Sequence, residues 1–359
     1  MIRFGFIGFG KMGALRAESF SKLEGCEIGK IYDVVLPPDT PYDVAASAEE
    51  IIADPKIDVV VICVPNYLVK PLTISALQAG KHVFCEKPPA INLADMTEIA
   101  AVHESTDRLL MYGFNHRRHP AVMKMKELVD DGSMGRILWM RGRYGKSVDG
   151  DYLQGWRANK ELAGGGILLD QGIHMLDLFL HIGGQVFDEV QAMVSSLYWK
   201  TEGIEDNVFA IMRNRDSGMC AQLHSTMTQW RHLFSLEVFC ERGYMVLNGL
   251  KTGSGTYGEE VLTVARNRTR APAATWQEEE RFEYAVDNSW DQEAREFLEA
   301  LRQSSKQNHG TVVDAIQVMT LIDTIYRNES LVSKQLHSDL LGSRLATTHF
   351  QKKNTEFRQ

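Results

Sequence analysis

Ile2-Arg3-Phe4-Gly5-Phe6-Ile7-Gly8-Phe9-Gly10-Lys11-Met12-Gly13 opens the chain with a short apolar run that breaks into glycines spaced G-x-G-x-x-G. Residues 12–22 beyond it read as a helix. Strand, glycine turn and helix in that order form the first unit of a dinucleotide-binding fold. Gly8 permits the tight turn, Gly10 lets the backbone approach a pyrophosphate, and Gly13 allows the helix close to the strand. The helix N-terminus, at Lys11 and Met12, then presents its free N–H groups to phosphate charge. The acidic residue expected about 20 positions or somewhat more downstream is Asp33, closing Ile31-Tyr32-Asp33. Its carboxylate suits ribose hydroxyls and repels a 2'-phosphate, so NAD is expected over NADP.

Working outward, β-like runs over 3–8, 27–32, 58–63, 81–86 and 109–114 alternate with helix-like stretches over 12–22, 48–53, 69–79 and 94–104. Such alternation predicts an α/β fold with a doubly wound parallel sheet. After Pro120 the rhythm changes. A helix over 121–130 precedes strand-like runs over 137–144, 186–198, 207–214, 219–228, 233–240 and 243–248, interrupted by one helix over 168–181. Consecutive runs of this kind predict an α+β domain with an open, mostly antiparallel sheet. The expected division is a dinucleotide-binding domain over 1–120, a substrate and oligomerisation domain over 121–330, and a tail over 331–359. Helical periodicity over 290–302 and 312–328 suggests helices that pack back on the first domain.

The chain has 359 residues, 44% of them hydrophobic and 24% charged, the composition of an ordinary globular enzyme. A net charge of -8 argues against a nucleic-acid partner, since phosphate backbones reward clustered Lys and Arg. Cys26, Cys63, Cys85, Cys220 and Cys240 are far apart and form no CxxC pair, so reduced core thiols are expected and no metal site. No basic leader precedes the first strand, and the apolar runs have strand length, so a soluble, cytoplasmic protein without a membrane partner is expected.

Glu86-Lys87-Pro88 stands at the end of the fourth strand-like run, where open parallel sheets bind ligands. Together with the glycine turn, Val64-Pro65-Asn66, Asn115-His116-Arg117-Arg118, Gly164-Gly165-Gly166 and Asp170-Gln171-Gly172-Ile173-His174-Met175-Leu176-Asp177 follow in order. In these six motifs the chain resembles the glucose-fructose oxidoreductase/inositol dehydrogenase (Gfo/Idh/MocA) family over roughly residues 1–330. The resemblance implies an active site in the cleft between the two domains, with Lys87, Asp170 and His174 beside the nicotinamide. It also brings Pro65, Asn66, Glu86 and Lys87 toward the cofactor. Where many relatives carry a histidine after that Asn, this chain has Tyr67-Leu68-Val69-Lys70.

The chemistry of the trio stands beside the name. Asp170 and His174 are four apart, so on a helix they share a face. Oxidising a secondary alcohol requires removal of its hydroxyl proton, which suits a histidine, and an ammonium stabilises the alkoxide that develops. His174 is therefore the expected general acid/base, Lys87 the electrostatic and positioning group, and Asp170 their support. On spacing alone His174 would read as a satisfied helix histidine. Asp177, one turn on, reads as an interior hydrogen-bonding partner.

Arg117, Arg143, Tyr144, Tyr152, Trp156, Arg157, Trp230 and Arg231 mix aromatic platforms with cationic donors and are the expected substrate contacts. Adjacent arginines such as Arg117 and Arg118 also serve as ties between domains. The expected activity is NAD(H)-dependent hydride transfer at a secondary hydroxyl or keto group of a sugar, cyclitol or nucleotide-linked sugar. Two other readings are an enzyme that retains its NAD and catalyses net hydrolysis or epimerisation, and a non-catalytic NAD-binding regulator. An open sheet face favours a homodimer or homotetramer.

Overall fold

Val59-Val-Val-Ile62 is apolar at every position, and all four side chains are buried. Only a strand covered on both faces accommodates that pattern. In the computed structural model, which describes residues 1–36, 39–267, 275–303 and 310–328, this stretch is the middle strand of a five-stranded sheet. The sheet comprises β1 (Ile2–Ile7), β2 (Cys26–Tyr32), β3 (Val59–Ile62), β4 (His82–Glu86) and β5 (Leu110–Gly113). Its order is β2-β1-β3-β4-β5, with every pair parallel. The connections carry α1 (Lys11–Ser21), α2 (Ala48–Ala53), α3 (Asn66–Gln78) and α4 (Leu93–Glu104). Val60, Ile62, Val83 and Cys85 join one core cluster while Val59, Val61 and Phe84 join another, so helices cover both faces. The strand order reverses between β1 and β3. The crevice at that switch point opens beside Gly8, and the carboxyl ends of β3 and β4 lie on the same edge.

The second sheet has eight strands in the order β13-β12-β11-β10-β6-β9-β8-β7. After α5 (Pro120–Asp130) come β6 (Ile137–Ser147), α6 (Lys160–Ala163) and α7 (Ile173–Gly183). The rest of the sheet is β7 (Glu189–Ser195), β8 (Asn207–Arg213), β9 (Cys220–Thr226), β10 (Thr228–Cys240), β11 (Gly243–Asn248), β12 (Glu260–Arg266) and β13 (Glu280–Tyr284). All pairs are antiparallel except β6 with β9. One face packs on α7, whose residues are buried nearly all round. The opposite face leaves Met193, Phe209, Ile211 and Trp139 exposed. The expected tail over 331–359 lies outside the described residues.

Three features differ from the sequence reading. β12 and β13 extend the sheet beyond its expected last strand. Trp230-Arg231-His232, expected in a loop, lies inside β10 where the pairing register with β6 shifts between Thr228 and Leu233. The helix expected over 168–181 begins with a π-helical turn, Leu168–Gly172, before α7. Such turns recur at functional sites. Its amino end is held by Glu205, which accepts the N–H groups of Gly166 at 2.7 Å and Leu168 at 2.9 Å and the Tyr326 hydroxyl at 2.9 Å.

The chain returns to the first sheet through α8 (Ser289–Gln303). Phe297 meets Phe20 and Phe84 edge-on at 5.8 and 5.4 Å between ring centroids. Arg16 of α1, fully buried, donates to Glu86 at 2.6 Å and pairs with Glu293 of α8 at 2.7 Å. Its guanidinium lies 4.5 Å from the ring centroids of both Phe84 and Trp290. A further helix, α9, covers 312–328. No helix among the described residues is long and apolar enough to cross a membrane.

Two carboxylates share one guanidinium here, and burial outweighs the pull of Arg16, raising Glu293 from 4.5 to about 7. A carboxyl raised in the native state stabilises the fold fully below its unfolded value, and that contribution is lost as pH rises through about 7. Glu293→Gln should therefore be about as stable as wild type near pH 5 and more stable above pH 8, by on the order of 1–3 kcal/mol. Thermal melts from pH 5 to 9 check this; a constant difference across that range would contradict it.

Candidate active site

At the switch point Gly8 has φ +89, and a Cβ there would lie 2.3 Å from the Cys63 carbonyl oxygen. A Cβ on Gly13 would meet the Gly8 carbonyl oxygen at 2.1 Å. Both positions therefore exclude any side chain. A Cβ on Gly10 meets nothing within 4 Å, so the fold itself does not require that glycine. Gly10 is the N-cap of α1 and provides no side-chain cap, and the first turn, with Lys11 and Met12, contains no acidic residue. The helix thus begins with uncapped N–H groups beside open space, a cradle suited to an anion. Asp33, at the end of β2, reaches the same turn and accepts the Phe9 N–H at 2.5 Å and the Val35 N–H at 3.1 Å. Pro65 caps α3, and Asn66 ties that helix to the second sheet's connections by donating to the Ala163 carbonyl at 2.8 Å.

From the end of β4, Lys87 extends to the π turn. Its Nζ donates to the Asp170 backbone carbonyl at 2.7 Å and stands 3.5 Å from Oδ1 of the same residue. Oδ2 of Asp170 accepts the Tyr152 hydroxyl, Lys146 Nζ at 3.1 Å and Gln171 Nε2 at 3.0 Å. Burial works to raise this carboxyl, but Lys146 and Lys87 override it and hold Asp170 well below the usual carboxylate range. Lys146 is pushed below its ordinary value by burial and by Lys87, against Asp170. Asp170 is therefore ionised, and its side-chain partners among the described residues are cations, a phenol and an amide rather than His174.

His174 lies on α7, 3% exposed, with a buried Nδ1 that has no hydrogen-bond partner among the described residues. Its ring stacks on His116 at 3.7 Å between centroids and 20° between planes. Burial first, then Lys87, pushes its imidazole well below the ordinary value, against Asp170. Near neutral pH it is an uncharged base. Burial and the neighbouring His174 likewise keep His116 neutral.

His116 is fixed from both sides. Asp287 accepts the Ser289 hydroxyl at 2.6 Å, and Ser289 accepts the Asn115 amide at 3.1 Å. Asn115 Oδ1 faces His116 Nδ1 at 3.1 Å, and Tyr144 faces Nε2 at 3.1 Å. This order assigns the His116 proton to Nδ1 and makes Tyr144 the donor to Nε2. Sequence reasoning passed over His116, because attention in Asn115–Arg118 fell on the arginines. It also missed Lys146, a strand-end lysine with the look of a solvated charge.

Other expected residues go elsewhere. Glu86 is spent on Arg16. Arg117, buried, makes a forked pair with Asp177 and reaches Asp314 of α9 at 3.1 Å, so it ties helices together away from Asp170. Arg118 pairs with Glu296 of α8. Asp177 is the interior partner its position suggested. Tyr152, Trp156 and Arg157 line a small pocket with Asn66, Gly165 and Asp170. Trp230 is 68% exposed and packs on Tyr198, while Arg231 and Arg143 border, with Tyr257, an open cavity of about 470 Å³.

Residues 2–114 match the oxidoreductase family with the NAD-binding Rossmann fold, and residues 122–246 match the GFO/IDH/MocA C-terminal domain. The 1,5-anhydro-D-fructose reductase of Ensifer adhaerens is 32% identical over 232 residues, a match that takes in 64% of this chain and 63% of that protein. The myo-inositol 2-dehydrogenase of Thermotoga maritima is 28% identical over 265 residues, 70% of this chain and 76% of that one. A levoglucosan dehydrogenase solved with NADH and levoglucosan superposes with a TM-score of 0.78 at 22% identity, covering 92% of this chain and 97% of the other. The two family matches stand in tandem over more than half of the sequence, in the order and on the two sheets described above; the chain belongs to the Gfo/Idh/MocA family of oxidoreductases.

Proposed function

We propose that the protein is an NAD(H)-dependent dehydrogenase or reductase acting on a secondary hydroxyl or keto group of a sugar or cyclitol. The observation that carries this reading is a neutral His174, its buried Nδ1 without a hydrogen-bond partner among the described residues, beside Lys87 at the carboxyl edge of the parallel sheet. The glycine turn supports the cofactor. Gly10 leaves space that a Cβ would fill, α1 begins uncapped, and Asp33 stands where a ribose would meet it, favouring NAD over NADP. When bound, the nicotinamide supplies the hydride acceptor or donor.

The remaining chemistry belongs to this chain. Lys87 donates to the reacting oxygen and stabilises its negative charge as the proton leaves. His174, uncharged near neutral pH, takes that proton, and returns it in the opposite direction. Asp170 holds Lys87 in place and stays ionised. Residues 1–120 then form the cofactor domain and 121–330 the substrate domain. The exposed apolar residues on the second sheet's open face support pairing with another copy of the chain.

Gly10→Val should keep the wild-type melting temperature within a few degrees, because the fold leaves that space empty. It should weaken NADH binding at least about tenfold, followed by NADH fluorescence. Unchanged binding would move the cofactor away from this turn. In a panel of sugars and cyclitols with NAD, near-ultraviolet absorbance should report NADH formation. His174→Asn should lower kcat roughly 100- to 10,000-fold while NADH affinity stays within about threefold. Wild-type kcat/KM should fall on the acid side as His174 gains its proton, and a variant as active as wild type would remove His174 from the chemistry.

A further inference from the structure

Lys87, Lys146 and Arg157 surround a single carboxylate, that of Asp170. All three appear in the electrostatic surroundings of its side chain. The two lysines bear on its two oxygens, Lys87 at 3.5 Å from Oδ1 and Lys146 at 3.1 Å from Oδ2. The side chains of Lys87, Lys146 and Asp170 are 16%, 18% and 23% exposed, so water does little to neutralise the excess charge. Buried charge is costly unless paired, and here cations outnumber the carboxylate.

The count of hydrogen-bonding groups agrees with the count of charges. Oδ2 of Asp170 already accepts Tyr152, Lys146 and Gln171. Each lysine ammonium has three donors. Lys146 has one acceptor among the described residues, Asp170, and its Nζ lies 4.1 Å from the centroid of the Tyr152 ring. The Arg157 guanidinium stacks at 4.3 Å over Trp156 and 5.5 Å from Tyr152, with no hydrogen bond to a carboxylate among the described residues. Assigning Lys87 to the reacting oxygen leaves Lys146 and Arg157 unexplained by hydride transfer on a neutral alcohol. A bound oxidised nicotinamide, itself cationic, would deepen the imbalance.

We propose that Lys146 and Arg157 bind a carboxylate of the substrate, so that the substrate class is sugar acids rather than neutral sugars. This rests on the reading of the same site as a sugar dehydrogenase. Because the two lysines share the two oxygens of one carboxylate, a second carboxylate on Lys146 lies within one sugar ring of the hydroxyl held by Lys87. Charge-assisted bonds from the shielded Lys146 ammonium and the more exposed Arg157 guanidinium supply both affinity and orientation. Tyr152 and Trp156 form the walls beside them.

The test compares D-glucuronate and D-gluconate with D-glucose, myo-inositol and D-glucose 6-phosphate, using intact protein and NAD. Wild type should turn over at least one of the two acids with a kcat/KM at least about tenfold above that for glucose. Lys146→Met should bring that ratio to within about threefold, mainly through KM for the acid. Arg157→Gln, at an exposed position, should reduce it in the same direction. Melting temperature and NADH binding establish that each variant is folded. A wild type that prefers neutral sugars or the phosphate, or a ratio unmoved in both variants, overturns the proposal. If no compound reduces NAD, the dehydrogenase reading fails separately. Calorimetric titration of the NADH-bound protein then still decides the anion site: glucuronate bound at least tenfold more tightly than glucose, with the gap lost in Lys146→Met, upholds it. Equal affinities, or binding of neither, overturn it.

Discussion

Lys87 leaves the edge of the parallel sheet and finds its acceptor on the π turn that precedes α7, at the Asp170 carbonyl 2.7 Å away. Much of the site's arrangement follows from that contact. The lysine comes from one sheet, while the aspartate and His174 come from a helix packed on the other. Charge sets the balance at the junction. Burial works to raise the Asp170 carboxyl, and Lys146 and Lys87, one from each sheet, outweigh it and hold the group well below the usual carboxylate range. Burial, with Lys87 after it, keeps His174 uncharged. The same cross-domain lysine thus bears on the protonation of both Asp170 and His174.

The parallel sheet was legible almost strand by strand, because buried parallel strands are short apolar runs and their helices fall between them. β12 and β13 were not. β13 is Glu-Arg-Phe-Glu-Tyr, an edge strand with only Phe282 and Tyr284 turned toward the core, and its charges resemble those of a loop. Charged edges of this kind discourage pairing with other chains, which is why the sequence signal is weak where the structure is regular. The π turn left no trace in the sequence either, since a four-residue spacing reads as α-helix whether or not one residue is inserted in the turn.

In the site, Lys87, Asp170 and His174 came together as their motifs suggested, but the support given to His174 is different. Asp170 was expected as support, orienting the imidazole or holding a neighbouring sugar hydroxyl; its Oδ2 accepts Tyr152, Lys146 and Gln171, and its Oδ1 lies 3.5 Å from Lys87. The ring is instead laid against His116. Stacking leaves no periodicity, so nothing in Asn115-His116-Arg117-Arg118 marked the histidine over the arginines. Arg117 was misread for the opposite reason. A buried arginine satisfied by Asp177 and Asp314 has the same one-letter signature as one waiting for a ligand.

The stacked pair has a consequence for proton transfer. Two imidazoles 3.7 Å apart cannot both carry charge at acceptable cost, and His116 has its proton fixed on Nδ1 by the chain through Asn115 and Ser289 to Asp287. Tyr144 occupies Nε2. With both nitrogens engaged, His116 has no free lone pair with which to compete for the proton. On the proposed reading, the imidazolium formed on His174 would face a neutral ring on one side and the ionised Asp170 nearby. On the same reading, Lys87 would oppose that charge while a neutral alcohol is bound and favour the alkoxide as the proton moves. Burial and the Lys87 ammonium keep His174 a weak base at rest; on the proposed reading the same ammonium would make the hydroxyl more acidic, so that proton acceptance and alkoxide stabilisation are coupled through one residue.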